Sequence, residues 1–254
     1  MLSIETFNII VLSWIGIGAI TFPFLFKITP PYGRHSNKSW GPMIDNRLGW
    51  FIMEFPALVL FAFLVISGGG LSDNVISFAF GLWMIHYVNR TLIFPLRLRT
   101  KKKKMPFIIV GSAFFFNLVN GFVNGYWFGT LSPGYPADWF TDPRFIAGIL
   151  LFVGGWFINQ YHDNLLINLR KKSGQSGYQI PRGGLFKYIS TPNFFGEIIE
   201  WGGFALLTWC LPSLSFFIWT FVNLVPRAID HHRWYKNNFE DYPAKRKAVF
   251  PFLF

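Results

Sequence analysis

The sequence predicts an all-α integral membrane protein of seven transmembrane helices, with the N-terminus outside and the C-terminus cytoplasmic. Two observations carry that prediction. Hydrophobic residues make up 52% of the 254 positions and charged residues only 14%, which is too apolar for a soluble domain of this length. Lys and Arg also alternate between loops as the positive-inside rule requires. Apolar stretches of spanning length run from 6 to 26, 48 to 67, 75 to 96, 106 to 129, 145 to 168, 194 to 210 and 213 to 233, each long enough to cross a bilayer core. Lys27 to Arg47 carries four basic residues, Arg97 to Lys104 six, Arg170 to Lys187 five and Arg227 to Lys247 six. The residues before the first stretch, the SGGGLSDN turn after the second and the turn at Pro212 carry none, and the long loop after the fourth carries only Arg144.

The 32 Phe and 11 Trp suit lipid-facing helices and interfacial belts. A net charge of +11 is explained by topology, so no nucleic-acid partner is expected. Cys210 is the single cysteine, which excludes an internal disulfide and a cysteine-based metal site; no metal is expected. The N-terminal apolar run has no preceding Lys or Arg and reads as the first span rather than a cleaved signal peptide. No internal repeat or second domain is evident, so residues 1–254 read as one membrane domain.

The elements in order then gain particular roles. The first basic loop, TPPYGRHSNKSWGP, reads as an irregular connector because of its Pro and Gly density. The second span holds Glu54, where an ionised carboxylate costs about 2.5–3.5 kcal/mol; the neutral, hydrogen-bond-donating acid is therefore expected. The third supplies His86, Tyr87 and Arg90, with Tyr87 and Arg90 on one face. The RLRTKKKK run that follows reads as a topology anchor on lipid headgroups. In the fourth span Asn117, Asn120 and Asn124 form a ladder expected to glue helices together.

The fifth span presents Asn159, His162, Asp163 and Arg170 as one stripe. Asp163 needs a partner there, and Arg170 lies nearly two turns toward the water. The connector KKSGQSGYQIPRGG is glycine-rich and basic, so its backbone amides with Arg170, Lys171 and Arg182 could hold phosphates. It matches neither a dinucleotide-binding glycine fingerprint nor a P-loop. Asn193, Gly196, Glu197 and Glu200 share one face of the sixth span, and Arg227, His231, Trp234 and Tyr235 one face of the seventh. Ionisable groups are costly in a membrane, which makes these two stripes candidates for binding a charged ligand.

The residues GGLFKYISTPNFFGEIIEW and RAIDHHRWYKNNFEDYPAKRKAVFPFLF resemble the C-terminal half of the steroid 5α-reductase family, and the likeness extends to INQYHDNLLINLRK, HYVNRTLIFPLR and GWFIMEFPAL. That family reduces the Δ4 double bond of 3-oxo-Δ4-steroids in the membrane with NADPH as cofactor. The resemblance implies that Glu54 and Tyr87 contact the steroid C3 carbonyl. It further implies that Asn159, Asp163, Arg170, Tyr178, Asn193, Glu197, Arg227, His231 and Tyr235 line the NADPH site. The first four helices would then form mainly the substrate side, and the last three, with the cytoplasmic loops, the cofactor side.

Conjugate hydride addition to an enone places negative charge on the carbonyl oxygen, so donors must be aimed at a developing enolate. A neutral Glu and a Tyr hydroxyl both donate, as in the Tyr and protonated-acid oxyanion hole of ketosteroid isomerase. Two positions depart from the family pattern. Met53 stands where Gln is usual before the glutamate, and YQIPRGG replaces YRIPQGG, so that Gln179 and Arg182 are exchanged. Alternatives are a reductase of enoyl-CoA or polyprenoid lipids, an S-adenosylmethionine-dependent membrane methyltransferase, and a non-enzymatic sterol-binding or transport protein. The expected partners are a steroid or steroid-like lipid and membrane lipids, and the expected state is a monomer in a bacterial inner membrane or the endoplasmic reticulum.

Overall fold

A computed structural model describes residues 2–31, 33–99, 103–172 and 178–253, with the side chains of 170–172 outside the description. Its helices are α1 (Ile4–Leu25), α2 (Asn46–Ser67), α3 (Asn74–Val88), α4 (Phe94–Arg97), α5 (Phe107–Tyr126), α6 (Pro143–Lys172), α7 (Pro192–Thr208) and α8 (Leu211–Asn238). Six of them match the expected apolar stretches to within about five residues, and the third stretch, 75 to 96, is covered by α3, a π-helical turn and α4 together. Among the described residues, four helices are long and apolar enough to cross a membrane: Ile4–Leu25, Asn46–Ser67, Phe107–Leu131 and Pro143–Leu169. The chain divides into two compact units. One comprises Met1–Leu12, Pro30–Ile146 and Thr208–Ser213; the other comprises Ser13–Thr29, Ala147–Leu207 and Leu214–Phe254.

In the first unit α2 and α5 approach so closely that only glycine fits between them. A Cβ on Gly121 would lie 3.0 Å from the Pro56 carbonyl oxygen, one on Gly125 3.0 Å from the Phe61 Cα, and one on Gly129 would overlap the Leu64 carbonyl. These glycines recur every fourth residue, one turn apart on a single face. Close backbone approach of this kind holds helices together where lipid removes the hydrophobic driving force. On α3, Trp83 stacks on Phe61 at 4.3 Å and donates its indole N–H to the Ala57 carbonyl at 2.9 Å. Asp73 caps α3 by accepting from the amides of Val75 and Ile76, and its second oxygen accepts from the Tyr135 amide at 2.8 Å.

The connectors contain a feature the sequence did not suggest. Met43–Asp45 (β1) pairs antiparallel with Lys104–Pro106 (β2), with Ile44 opposite Met105. Three-residue strands about sixty positions apart in Pro- and Lys-rich loops leave no periodic signal. After α3 the chain widens into a π-helical turn, Asn89–Ile93, in which the Phe94 amide donates to the Asn89 carbonyl. The wider turn accommodates Pro95, which would otherwise collide with the carbonyl four residues back. The turn expected at Pro212 falls instead at Trp209–Cys210, where Trp209 has a φ of 43°. Pro212 is the second residue of α8, a first-turn position at which a missing N–H costs nothing.

In the second unit α6 and α7 run antiparallel, also through glycine. Gly148 meets Gly203 and Leu207, and Gly155 meets Gly196 and Glu200, at backbone distances no side chain could enter. The tail folds back along the start of α7. The Ser190 amide donates to the Lys247 carbonyl at 2.8 Å, the Thr191 hydroxyl donates to the Ala248 carbonyl at 2.9 Å, and Val249 enters a core of Ile198, Leu224, Val225 and Ala228. Trp219 of α8 packs on Trp14 at 4.6 Å and donates to its carbonyl at 3.0 Å.

Candidate active site

The residues expected at a substrate carbonyl lie in the first unit. Two contacts fix how α3 lies along α2. Trp83 bonds Ala57, and in the π-helical turn that continues α3 the Arg90 guanidinium sits over Trp50 at 5.0 Å and over Phe94 at 4.8 Å. Tyr87 falls between Trp83 and Arg90, just as Glu54 falls between Ala57 and Trp50. The antiparallel register therefore brings Tyr87 and Glu54 to the same level. Tyr87 is buried and packed against Trp83 and His86, each at 5.0 Å, which leaves its ring little freedom. Glu54 is half-buried.

Sequence reasoning treats Asn117 only as glue, and the glue is real. Its Nδ2 donates to the Met53 carbonyl at 2.6 Å, and Asn124 accepts from the Ser213 hydroxyl at 3.2 Å. The same Asn117 nitrogen, however, also donates to Glu54 Oε2 at 3.3 Å. Asn117 stands one turn before Gly121 on the face that meets α2, and that position was the available signal.

The second unit gathers most of the other candidates. The Gly155–Gly196 contact brings Asn159 level with Asn193. Asn159 Nδ2 donates to the Asn193 carbonyl at 3.0 Å and to Glu197 Oε2 at 3.2 Å, and Gln160 donates to Asn159 Oδ1 at 3.1 Å. Asn193 Nδ2 in turn donates to Asp163 Oδ1 at 3.0 Å, so Asp163 has a partner across the helix pair. Asn159 and Asp163 are buried, whereas Asn193 and Glu197 are half-buried. The first pair thus orients the second.

On α8, Arg227 lies over the Phe194 ring at 5.2 Å, and His231 packs on the same ring at 5.7 Å. Phe194 thereby seats two basic side chains beside Asn193. Tyr178 packs edge-on against Trp234 at 5.2 Å. Tyr235 is 2% exposed and stacks on Tyr242 at 5.3 Å; burial pushes the Tyr242 phenol up. The side chain of Arg170 and most of the glycine-rich connector, residues 173–177, lie outside the described residues.

His162, noted on the stripe, has a distinct part. Its Nδ1 donates to the Ile158 carbonyl at 2.7 Å, so Nε2 accepts from the Leu185 amide at 2.9 Å. That bond pins the turn at Gly183 and Gly184, whose φ values of 95° and 51° favour glycine.

A family model described as 3-oxo-5-alpha-steroid 4-dehydrogenase matches residues 103–254. The chain belongs to that family. Among this family member's relatives, the steroid 5-alpha-reductase of Solanum lycopersicum is 41% identical over 252 residues, 98% of this chain and 97% of that protein. The 3-oxo-5-alpha-steroid 4-dehydrogenase 1 of Rattus norvegicus is 40% identical over 231 residues, 90% of this chain and 88% of that protein. Its Homo sapiens counterpart is 38% identical over 240 residues, 94% and 92% respectively. This member of the family is thus a membrane oxidoreductase, and all three of these relatives carry reductase or dehydrogenase names.

Proposed function

We propose that the protein reduces the Δ4 double bond of 3-oxo-Δ4-steroids to 5α-dihydrosteroids, using NADPH, as a seven-span monomer with its C-terminus in the cytoplasm. The observation that carries this reading is the register of α2 and α3, which sets Glu54 and Tyr87 level in a chain whose relatives are named for this chemistry. Glu54 as a neutral acid and Tyr87 through its hydroxyl donate to the C3 carbonyl oxygen and stabilise the charge that develops there. Tyr87 is held in place by Trp83 and His86, so little reorganisation accompanies the reaction.

The donor set of the second unit fits a dinucleotide. Asn193 and Glu197 offer amide and carboxylate groups to ribose hydroxyls or a carboxamide. Arg227 and His231, both half-buried, offer cationic or N–H groups to phosphate oxygens. Asn159 and Asp163 hold Asn193 and Glu197 in place, and the family resemblance adds Tyr178, Tyr235 and Arg170. NADPH, when bound, supplies the hydride for C5.

The test is product analysis with purified protein, NADPH and a panel of 3-oxo-Δ4-steroids such as progesterone and testosterone. The proposal expects the 5α-dihydro product in step with NADPH consumption. Tight NADPH binding with no turnover of any member of the panel would overturn the substrate assignment.

A further inference from the structure

We infer that Asn117 is a positioning residue for Glu54: its Nδ2–H bond to Oε2 steers the proton of the neutral acid to Oε1 and holds the carboxyl in one orientation. The inference deepens the proposed reductase reading and rests on it.

The orientation of the Asn117 amide is fixed by the backbone of α2. Nδ2 lies 2.6 Å from the Met53 carbonyl oxygen. A flipped amide would set Oδ1 against that oxygen, two acceptors in contact with no proton between them. The nitrogen therefore faces α2, and its second hydrogen meets Glu54 Oε2 at 3.3 Å. An amide NH₂ can only donate, so Oε2 must accept at this contact. A proton on Oε2 would compete with that donor, and the acid's proton is accordingly placed on Oε1. Asn117 cannot swing away. It is 5% exposed and sits one turn ahead of Gly121, where the α5 backbone touches Pro56. A carboxyl alone has two equivalent oxygens; beside Asn117 one becomes the acceptor and the other the donor.

The test compares the wild type, Asn117→Leu, Glu54→Gln and the double variant. Leu keeps the branched heavy-atom skeleton of Asn, with bulkier methyl groups and no donor, and Asn117→Ala serves if Asn117→Leu does not assemble; NADPH binding reports folding in each case. The first readout is the infrared carbonyl band of protonated Glu54, identified by its loss in Glu54→Gln, and it needs no steroid turnover. Losing the Asn117 donor is expected to move that band to higher wavenumber. An unmoved band, or a Glu54 giving only carboxylate bands, overturns the inference. The second readout is kinetic. Asn117→Leu is expected to lower kcat about tenfold, the scale of one hydrogen bond to a reacting group, with the steroid KM nearly unchanged. In the Glu54→Gln background the same change is expected to cost nothing further. An equal loss in both backgrounds would mean a structural role and overturn the inference. Absent steroid turnover with the band shift present would instead reject the proposed substrate and leave the Asn117–Glu54 coupling standing.

Discussion

Replacing Gly196 with Ala tests whether the α6–α7 contact sets up the amide and carboxylate network. The added Cβ would lie 2.5 Å from the Asn159 amide nitrogen, 2.6 Å from the Gly155 carbonyl oxygen and 3.0 Å from Ile158 Cγ2. Two of these are backbone atoms and cannot turn aside. Restoring ordinary contact requires the helices to part by roughly 1 Å. The three bonds that cross the pair here, from Asn159 to Asn193 and Glu197 and from Asn193 to Asp163, measure 3.0, 3.2 and 3.0 Å, so that movement breaks them. Overpacking costs about 1–3 kcal/mol and each lost bond about 1 kcal/mol, giving about 4–6 kcal/mol for rigid helices. Thermal unfolding in detergent and NADPH titration measure the two consequences: a large fall in Tm, and affinity weakened by at least about tenfold. Gly154→Ala is the control. Its Cβ meets nothing within 4 Å, and alanine in a helix is worth about 0.4–1 kcal/mol over glycine. Gly196→Ala with wild-type Tm and NADPH affinity would show that the glycine contact does not hold the network together.

Other perturbations follow from single contacts. Asp73→Ala removes the α3 cap and the bond from the Tyr135 amide, and is expected to cost about 2–3 kcal/mol by denaturant unfolding; Asp73→Asn keeps the cap through Oδ1 and should cost about 1 kcal/mol. Gly184→Ala puts a Cβ 2.6 Å from His162 Nε2 at a φ of 51°, so a loss of about 2–3 kcal/mol is expected, with faster proteolysis in the preceding connector. Asp142 is held down to about 2 by hydrogen bonds from Arg144. A depressed carboxyl contributes stability above its unfolded value near 3.9 and loses it as pH falls through the folded one. A carboxyl NMR titration should therefore find its midpoint near pH 2, and a midpoint near 4 would contradict the Arg144 contact.

Much of the fold was legible because hydrophobic length is a property of the chain alone. Six of the seven apolar stretches became single helices among the described residues, and the third became α3, the π-helical turn and α4. The stripes on α6 and α7 were also visible, since spacing dictates which residues share a face. What spacing cannot supply is the partner. The sequence left the partner of Asp163 open, with Arg170 nearly two turns away; Asn193 on α7 is one such partner, because glycines seven residues apart on both helices set that register. The pairs Gly148–Gly155 and Gly196–Gly203 were the missed signal. Asn117 looked like glue for the same reason: an asparagine ladder names a face and not the carboxylate across from it. The ribbon of β1 and β2 and the turn at Trp209 depend on contacts between distant or non-periodic segments, where pattern carries little information.

Whether Glu54 and Tyr87 act at the substrate carbonyl is decided by NADPH consumption with a 3-oxo-Δ4-steroid, comparing the wild type with Glu54→Gln and Tyr87→Phe. Turnover is expected in the wild type and at least a hundredfold loss in each variant, on the scale of removing one oxyanion donor, roughly 10²–10³, with NADPH affinity unchanged. Wild-type rates in either variant would contradict that role.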